Sequence, residues 1–207
     1  RLRGLGSSGL LALRIYPKAD LWDHQAMTQF VREVQSIDPE AGGTPISIYF
    51  HTLELKRAFE KSSYLALATI TLILLVYFRN LYHTLLALLP KLLGICWMIG
   101  LMGCFRVQFN PVNFVALPMI LGIGLVFGVH IVHSLLKNPD ESLFSQSTGP
   151  AVALSALTTI FGFVTLLGAS HRGIASLGFV MSVGVGANLL TSLVVLPCLM
   201  KWLKPRS

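Results

Sequence analysis

Charge is scarce in this sequence. Only 12% of its 207 residues are Asp, Glu, Lys or Arg, against 54% that are apolar, and the mean hydropathy is positive. An ordinary soluble domain carries about 25% charged residues, so the composition excludes one and points to a membrane protein. Carboxylates are scarcest of all, with no Asp or Glu between Glu60 and Asp140. Cysteine is rare too. Cys96, Cys104 and Cys198 fall in or at the ends of apolar stretches without metal-ligand spacing, which excludes a disulfide framework or a zinc site and leaves them as packing residues. No Gly-rich phosphate loop with a Lys, no nucleophile elbow and no His-Glu-x-x-His occurs, so neither an enzyme nor a cofactor is indicated. His130 and His133 are three apart and could share a metal in principle, but no acidic or cysteine partner completes a site. The net charge of +7 does not imply nucleic acid, because Arg79, Lys137, Lys201, Lys204 and Arg206 adjoin apolar runs, where they meet lipid headgroups.

What is present is a division into two solvents. Residues before Ser62 mix charge and polarity freely, whereas residues 64–202 contain long stretches with almost no charge. A bilayer core needs about 20 apolar residues per helix. Five segments qualify: about 60–78, 84–104, 113–136, 150–169 and 174–203. Their short connections force neighbouring spans to run antiparallel. Five spans put the two ends on opposite faces. Arg79, Lys137, Lys201, Lys204 and Arg206 collect on one side, and Lys91, inside the second span, is expected to snorkel back to it. The C-terminal tail is then cytoplasmic and residues 1–57 lie outside. The chain starts at Arg1 rather than a Met and reads as a fragment or a truncated product of a longer protein.

The outer segment is expected to form strand, helix, strand. Residues 10–16 are a short apolar run closed by Pro17, and Ile46, Ile48 and Phe50 alternate with Ser47, Tyr49 and His51 as a half-buried strand does. Between them Asp20 can cap a helix, with Asp23 in its first turn. Trp22, Ala26, Phe30, Val34 and Ile37 make one apolar stripe before Asp38-Pro39 and Gly42-Gly43 end it. A βαβ unit is about half of a small α+β domain, too little to bury a core alone. The fold class is thus an all-α membrane bundle of five transmembrane helices (residues 58–207), preceded by a partial α+β subdomain (residues 1–57).

Inside lipid, polar residues and glycines carry the information. In the third span Gly124 and Gly128 stand four apart and can seat a neighbouring helix, while Gly122, Val126, His130 and His133 share another face. One reading is a tight helix crossing with interfacial histidines. The other is that His130 takes part in proton or substrate passage, since imidazole titrates near neutral pH; His133, a turn nearer the cytoplasm, is interfacial. Thr158 and Thr159 in the fourth span either bond to backbone and neighbouring helices or line a polar path toward the third span. Asn188 in the fifth span is costly unless paired and is expected to make an interhelical hydrogen bond.

Several short motifs resemble the resistance-nodulation-division (RND) superfamily of exporters, and within it the MMPL type and its hopanoid-transporter-like members. They are Gly43-Thr-Pro, Phe78-Arg-Asn-Leu, Leu88-Leu-Pro90, Asn113-Phe-Val-Ala-Leu-Pro118, Gly122-Ile-Gly124, Gly128-Val-His130, Ala156-Leu-Thr-Thr159, Gly162-Phe163 and Ser170-His-Arg-Gly-Ile-Ala-Ser-Leu-Gly178. The resemblance covers residues 40–205. It implies the last five spans of a twelve-span inner-membrane protein built of two repeated halves, with residues 1–57 ending a periplasmic porter domain. It also implies an export permease that uses a proton gradient to move a hopanoid-like lipid or other hydrophobic molecule outward, with membrane lipids as partners and a homo-oligomeric assembly. Many such exporters carry the proton on an Asp in a Gly-Ile-Gly-x-Asp-Tyr-Gly stretch. Here the Asp position is Val126 and the Tyr position Phe127, so that relay does not carry over. Either the first of the two halves that the resemblance implies does the coupling alone, or His130 with Thr158 substitutes, or the protein is not proton-driven. Two alternatives share the architecture: a non-transporting membrane module of sterol-sensing type, and a protein-export accessory subunit.

Overall fold

The structure, a computed structural model, describes residues 15–16, 24–138, 143–144 and 147–202. These form seven α-helices, two short 3-10 turns and one π turn, with no strand among the described residues. The chain divides into two compact units, Arg1–Glu54 and Leu55–Ser207.

In the first unit, helix α1 (His24–Ile37) meets the first turns of α2 (Thr44–Phe78). Val31, Val34 and Ile46 are buried together, flanked by Met27, Phe30, Ala41 and Tyr49. The stripe expected on α1 therefore holds at Phe30 and Val34 but not at its end, where Ile37 is exposed. Asp20, Trp22, Asp23 and residues 10–14 of the expected first strand lie outside the described residues; Ile15 and Tyr16 have no regular structure.

The second expected strand is a correction, because residues 46–51 are helical. Gly43 takes φ +145°, a conformation that favours glycine, and redirects the chain. Ser47 N–H then donates to Gly43 O at 3.0 Å, closing the first helical turn. Pro45 falls in that turn, where its missing N–H has no helical partner to lose. The alternation that suggested a strand also fits a helix, since Ile46 and Tyr49 are three apart and both reach the α1 core, while Ile48 and Phe50 stay exposed. The βαβ subdomain is thus not what the described residues form.

The second unit supplies the spans. Five helices are long and apolar enough to cross a membrane: Thr44–Phe78, Leu81–Cys104, Asn113–Lys137, Thr148–Gly168 and Arg172–Trp202. Helix α3 (Leu81–Cys104) starts after a tight reversal in which Arg79 has φ +49° and Asn80 Oδ1 accepts from Tyr82 N–H at 2.9 Å. Helix α4 (Ala116–Lys137) follows a 3-10 turn at Asn113–Val115. Its entry is held by Asn113, fully buried, whose Oδ1 accepts from Asn110 N–H at 2.7 Å and whose Nδ2 donates to Gln108 O at 3.0 Å. Asn110 Nδ2 in turn reaches Ser176 Oγ, 2.6 Å away on the last span. Helix α5 (Thr148–Val164) ends in a 3-10 turn. His171 Nδ1 accepts from Gly173 N–H at 3.1 Å and caps α6 (Arg172–Leu190), which continues through the π turn Thr191–Val195 into α7 (Leu196–Trp202).

Burial ranks the spans. About half of the apolar stretch is buried in Leu81–Cys104 (44%), Asn113–Lys137 (44%) and Arg172–Trp202 (50%), but only 11% in the α2 and α5 spans. So α3, α4 and α6 make the centre, and α2 and α5 present broad uncovered faces. The three cysteines, expected as packing residues, all lie exposed on helix surfaces.

Candidate intramembrane polar site

The centre of the bundle is not purely apolar. Pro90 and Lys91 stand midway along α3, Leu121 and Gly124 face them from α4, and Asn188 and Thr191 come from α6 and the π turn. Lys91 is 2% exposed, and its Nζ donates to the carbonyl oxygen of Leu121. This corrects the expectation that it snorkels outward. Lys91 lies ten residues beyond Leu81, about 15 Å along the helix at 1.5 Å per residue, and it turns inward because two glycines leave room there. A Cβ on Gly124 would sit 3.0 Å from Asn188 Oδ1 and 3.4 Å from Lys91 Cε, and one on Gly94 would sit 2.8 Å from Asn188 Oδ1. Those missing side chains are the space that the lysine stem and the asparagine amide fill.

The polar bonding is uneven. Asn188 Nδ2 donates to Gly184 O at 2.9 Å within its own helix, contrary to the expected bond across helices. Its Oδ1 is buried and has no hydrogen-bond partner. The bond between helices is made instead by Thr191, whose Oγ1 lies 2.7 Å from Pro90 O, 2.9 Å from Ala187 O and 3.1 Å from Asn188 O. A hydroxyl has one proton to share among these. The π turn begins at Thr191, and such turns recur at functional positions in helices. No carboxylate faces Lys91 among the described residues, and beyond Glu60 the sequence has only Asp140 and Glu141, between α4 and α5. A cation at mid-membrane costs about 2.5–3.5 kcal/mol on insertion scales and is by default a functional hypothesis.

The residues singled out from the sequence distribute differently. Gly128 is buried, and a Cβ there would lie 2.6 Å from Ala87 O, so α3 and α4 cross backbone to backbone; at Gly122 a Cβ would meet nothing. Gly122, Val126, His130 and His133 all lie on an uncovered face of α4, whereas Phe127 is in the core. His130 and His133 border a cavity of about 360 Å³ with Ser134, Lys137, Asn138, Ser147 and Thr148. Tyr77 Oη stands 3.3 Å from His133 Nδ1, linking α2 to α4. Thr158 and Thr159 do not border that cavity. Both hydroxyls donate to Ser155 O, at 2.8 and 2.9 Å. Among the described residues no three His, Cys, Asp or Glu side chains cluster as a metal site would require. Sequence reasoning missed Lys91 as a site. Its signal was available: a lysine amid an apolar run, followed by glycine one turn on.

Comparison with known proteins agrees with the architecture. Residues 144–206 match the model of the MMPL family. The chain is 28% identical over 198 residues to the hopanoid transporter HpnN of Rhodopseudomonas palustris, covering 96% of this chain and 22% of that one. It is 29% identical over 202 residues to the hopanoid transporter HpnN of Burkholderia multivorans, covering 96% and 23%. It is also 35% identical over 125 residues to protein patched homolog 1 of Caenorhabditis elegans, covering 56% and 9%. The chain therefore spans about a fifth of the length of the hopanoid transporters it matches. With five helices long and apolar enough to cross a membrane, the match over residues 144–206 and these relatives, the chain is a multi-pass membrane protein similar to hopanoid transporters and, over its last part, to the MMPL family.

Proposed function

We propose that this chain is the C-terminal membrane part of an inner-membrane export permease that uses a proton gradient to move a hopanoid-like lipid or other hydrophobic molecule toward the periplasm or outer membrane. The observation that carries this reading is similarity to two hopanoid transporters along 96% of the chain. In this reading residues 1–57 belong to a periplasmic porter domain, the tail after Trp202 is cytoplasmic, and no covalent chemistry is involved. The uncovered faces of α2, α5 and the Gly122–Val126–His130 side of α4 suit contact with lipid, with the other spans of a longer protein or with a second copy. His130 is the candidate on that face for proton or substrate passage, and Thr158 and Thr159 are candidates for a polar path on α5 once other segments approach them.

The test is the full-length protein in proteoliposomes with an imposed proton gradient and a labelled hopanoid. Gradient-driven movement that is lost in His130→Ala supports both the transport reading and the histidine. Movement that survives keeps the transport reading and removes His130 from it. Absence of movement in the wild type overturns the reading in favour of a sensing module.

A further inference from the structure

The groups around Lys91 leave a specific mismatch. An ammonium has three donors, and one bond is seen, to Leu121 O. Beside it Asn188 Oδ1, in a side chain 1% exposed, is an acceptor with no donor. The two are brought to one spot by Gly124, whose absent Cβ would lie 3.0 Å from Asn188 Oδ1 and 3.4 Å from Lys91 Cε. A buried acceptor left empty is costly, and the side chain that passes the same Gly124 position is a flexible four-carbon stem whose amine spends one donor on Leu121 O.

The facing groups settle what can occupy the site. From α4 they are Leu121 O and Gly124, from α6 the Asn188 amide, and from the π turn Thr191, through its bond to Pro90 O. None of these ionises, and no charged group acts on the amine among the described residues. His130 and His133 lie on the exposed face of α4. A site this enclosed, with an amine and an empty carbonyl oxygen and no counter-anion, suits the smallest cation.

We propose that Lys91 is an intramembrane proton-binding site. As a neutral amine, which carries two N–H donors and a lone pair, it spends one donor on Leu121 O and leaves Asn188 Oδ1 without a partner, the arrangement seen in the structure. On taking a proton from water onto the Nζ lone pair it forms one new N–H bond, and the resulting ammonium bridges Leu121 O and Asn188 Oδ1. That bridge ties α4 and α6 to α3 through one charge. Because Thr191 shares its single proton between Pro90 O, the residue before Lys91, and carbonyls one turn back on α6, tightening at Asn188 alters the π turn directly. The inference rests on the transport reading only for the use made of the proton.

The experiment is solid-state NMR of the full-length protein, labelled with 15N-lysine and 13C-asparagine in lipid vesicles and titrated with pH. The expected result is one Nζ signal, lost in Lys91→Arg, that interconverts between amine and ammonium and contacts the Asn188 side-chain carbonyl carbon only as ammonium. That contact identifies the signal without any substitution. Asn188→Leu, which keeps the lysine and removes the acceptor, should make the ammonium about tenfold harder to form, the value of one charge-assisted bond. A Lys91 signal that keeps one form throughout, or a titration unchanged in Asn188→Leu, overturns the proposal while leaving lipid movement in proteoliposomes to stand or fall separately.

Discussion

Replacing Gly128 with alanine tests the packing at the centre of the bundle most directly. The added Cβ would lie 2.6 Å from Ala87 O, whereas an ordinary contact begins at 3.4 Å. The shortfall is 0.8 Å (3.4 minus 2.6), and the atom in the way is backbone in mid-helix, which cannot rotate aside. Helices α3 and α4 must therefore separate by most of that distance along their crossing. Dispersion contacts are worth about 0.1–0.2 kcal/mol each and lose a quarter to a half of that over a 0.5–1 Å gap. Summed over a helix crossing, the loss agrees with the roughly 1–3 kcal/mol typical of overpacked cores. The same change at Gly122, where a Cβ meets nothing, controls for helix propensity. Unfolding of the full-length protein in mixed micelles, followed by loss of helical circular dichroism as denaturing detergent is raised, gives both free energies. Gly128→Ala should unfold at clearly lower denaturant than wild type, and Gly122→Ala should not. Equal stability of the two variants would refute the claim that Gly128 seats α3.

Other expectations follow from the same geometry. Thr191→Val keeps the shape but removes the bond to Pro90 O; it should destabilise the bundle by about 0.6 kcal/mol, the average for bonds between membrane helices, and by no more than about 1.7 kcal/mol, in the same detergent titration. Asn113→Ala removes a fully buried side chain and leaves Gln108 O and Asn110 N–H without their partner. A loss of about 1–3 kcal/mol and faster hydrogen exchange at Asn110 should result, and unchanged exchange would show that the loop is held otherwise. Gly43→Ala, at φ +145°, should cost about 1–3 kcal/mol of backbone strain and lower the helicity of the first turns of α2, read by exchange at Ser47, which donates to Gly43 O.

The five spans were legible because length and hydropathy decide them: an apolar stretch near 20 residues must satisfy its own backbone hydrogen bonds in lipid, and a helix does so locally. The expected strand at 46–51 was misread because Ile46-Ser-Ile-Tyr-Phe-His51 satisfies both periods over so few residues. Only its neighbours, Gly43 and Pro45 before it and a long helix after it, decide between them.

The sequence by itself determined which stretches are long and apolar enough to cross a membrane, that no carboxylate lies between Glu60 and Asp140, and that glycines cluster in the third span. Those are properties of residue type and spacing along one helix. Tertiary structure alone decided that Gly128 rather than Gly122 seats a neighbour, that Lys91 points inward, and that Asn188 is left with an empty acceptor while Thr191 bonds across to Pro90. Each of these depends on which faces of α3, α4 and α6 meet and at what depth. Glycines and polar groups far apart in sequence must then share one small volume, and no pattern along a single helix encodes that coincidence.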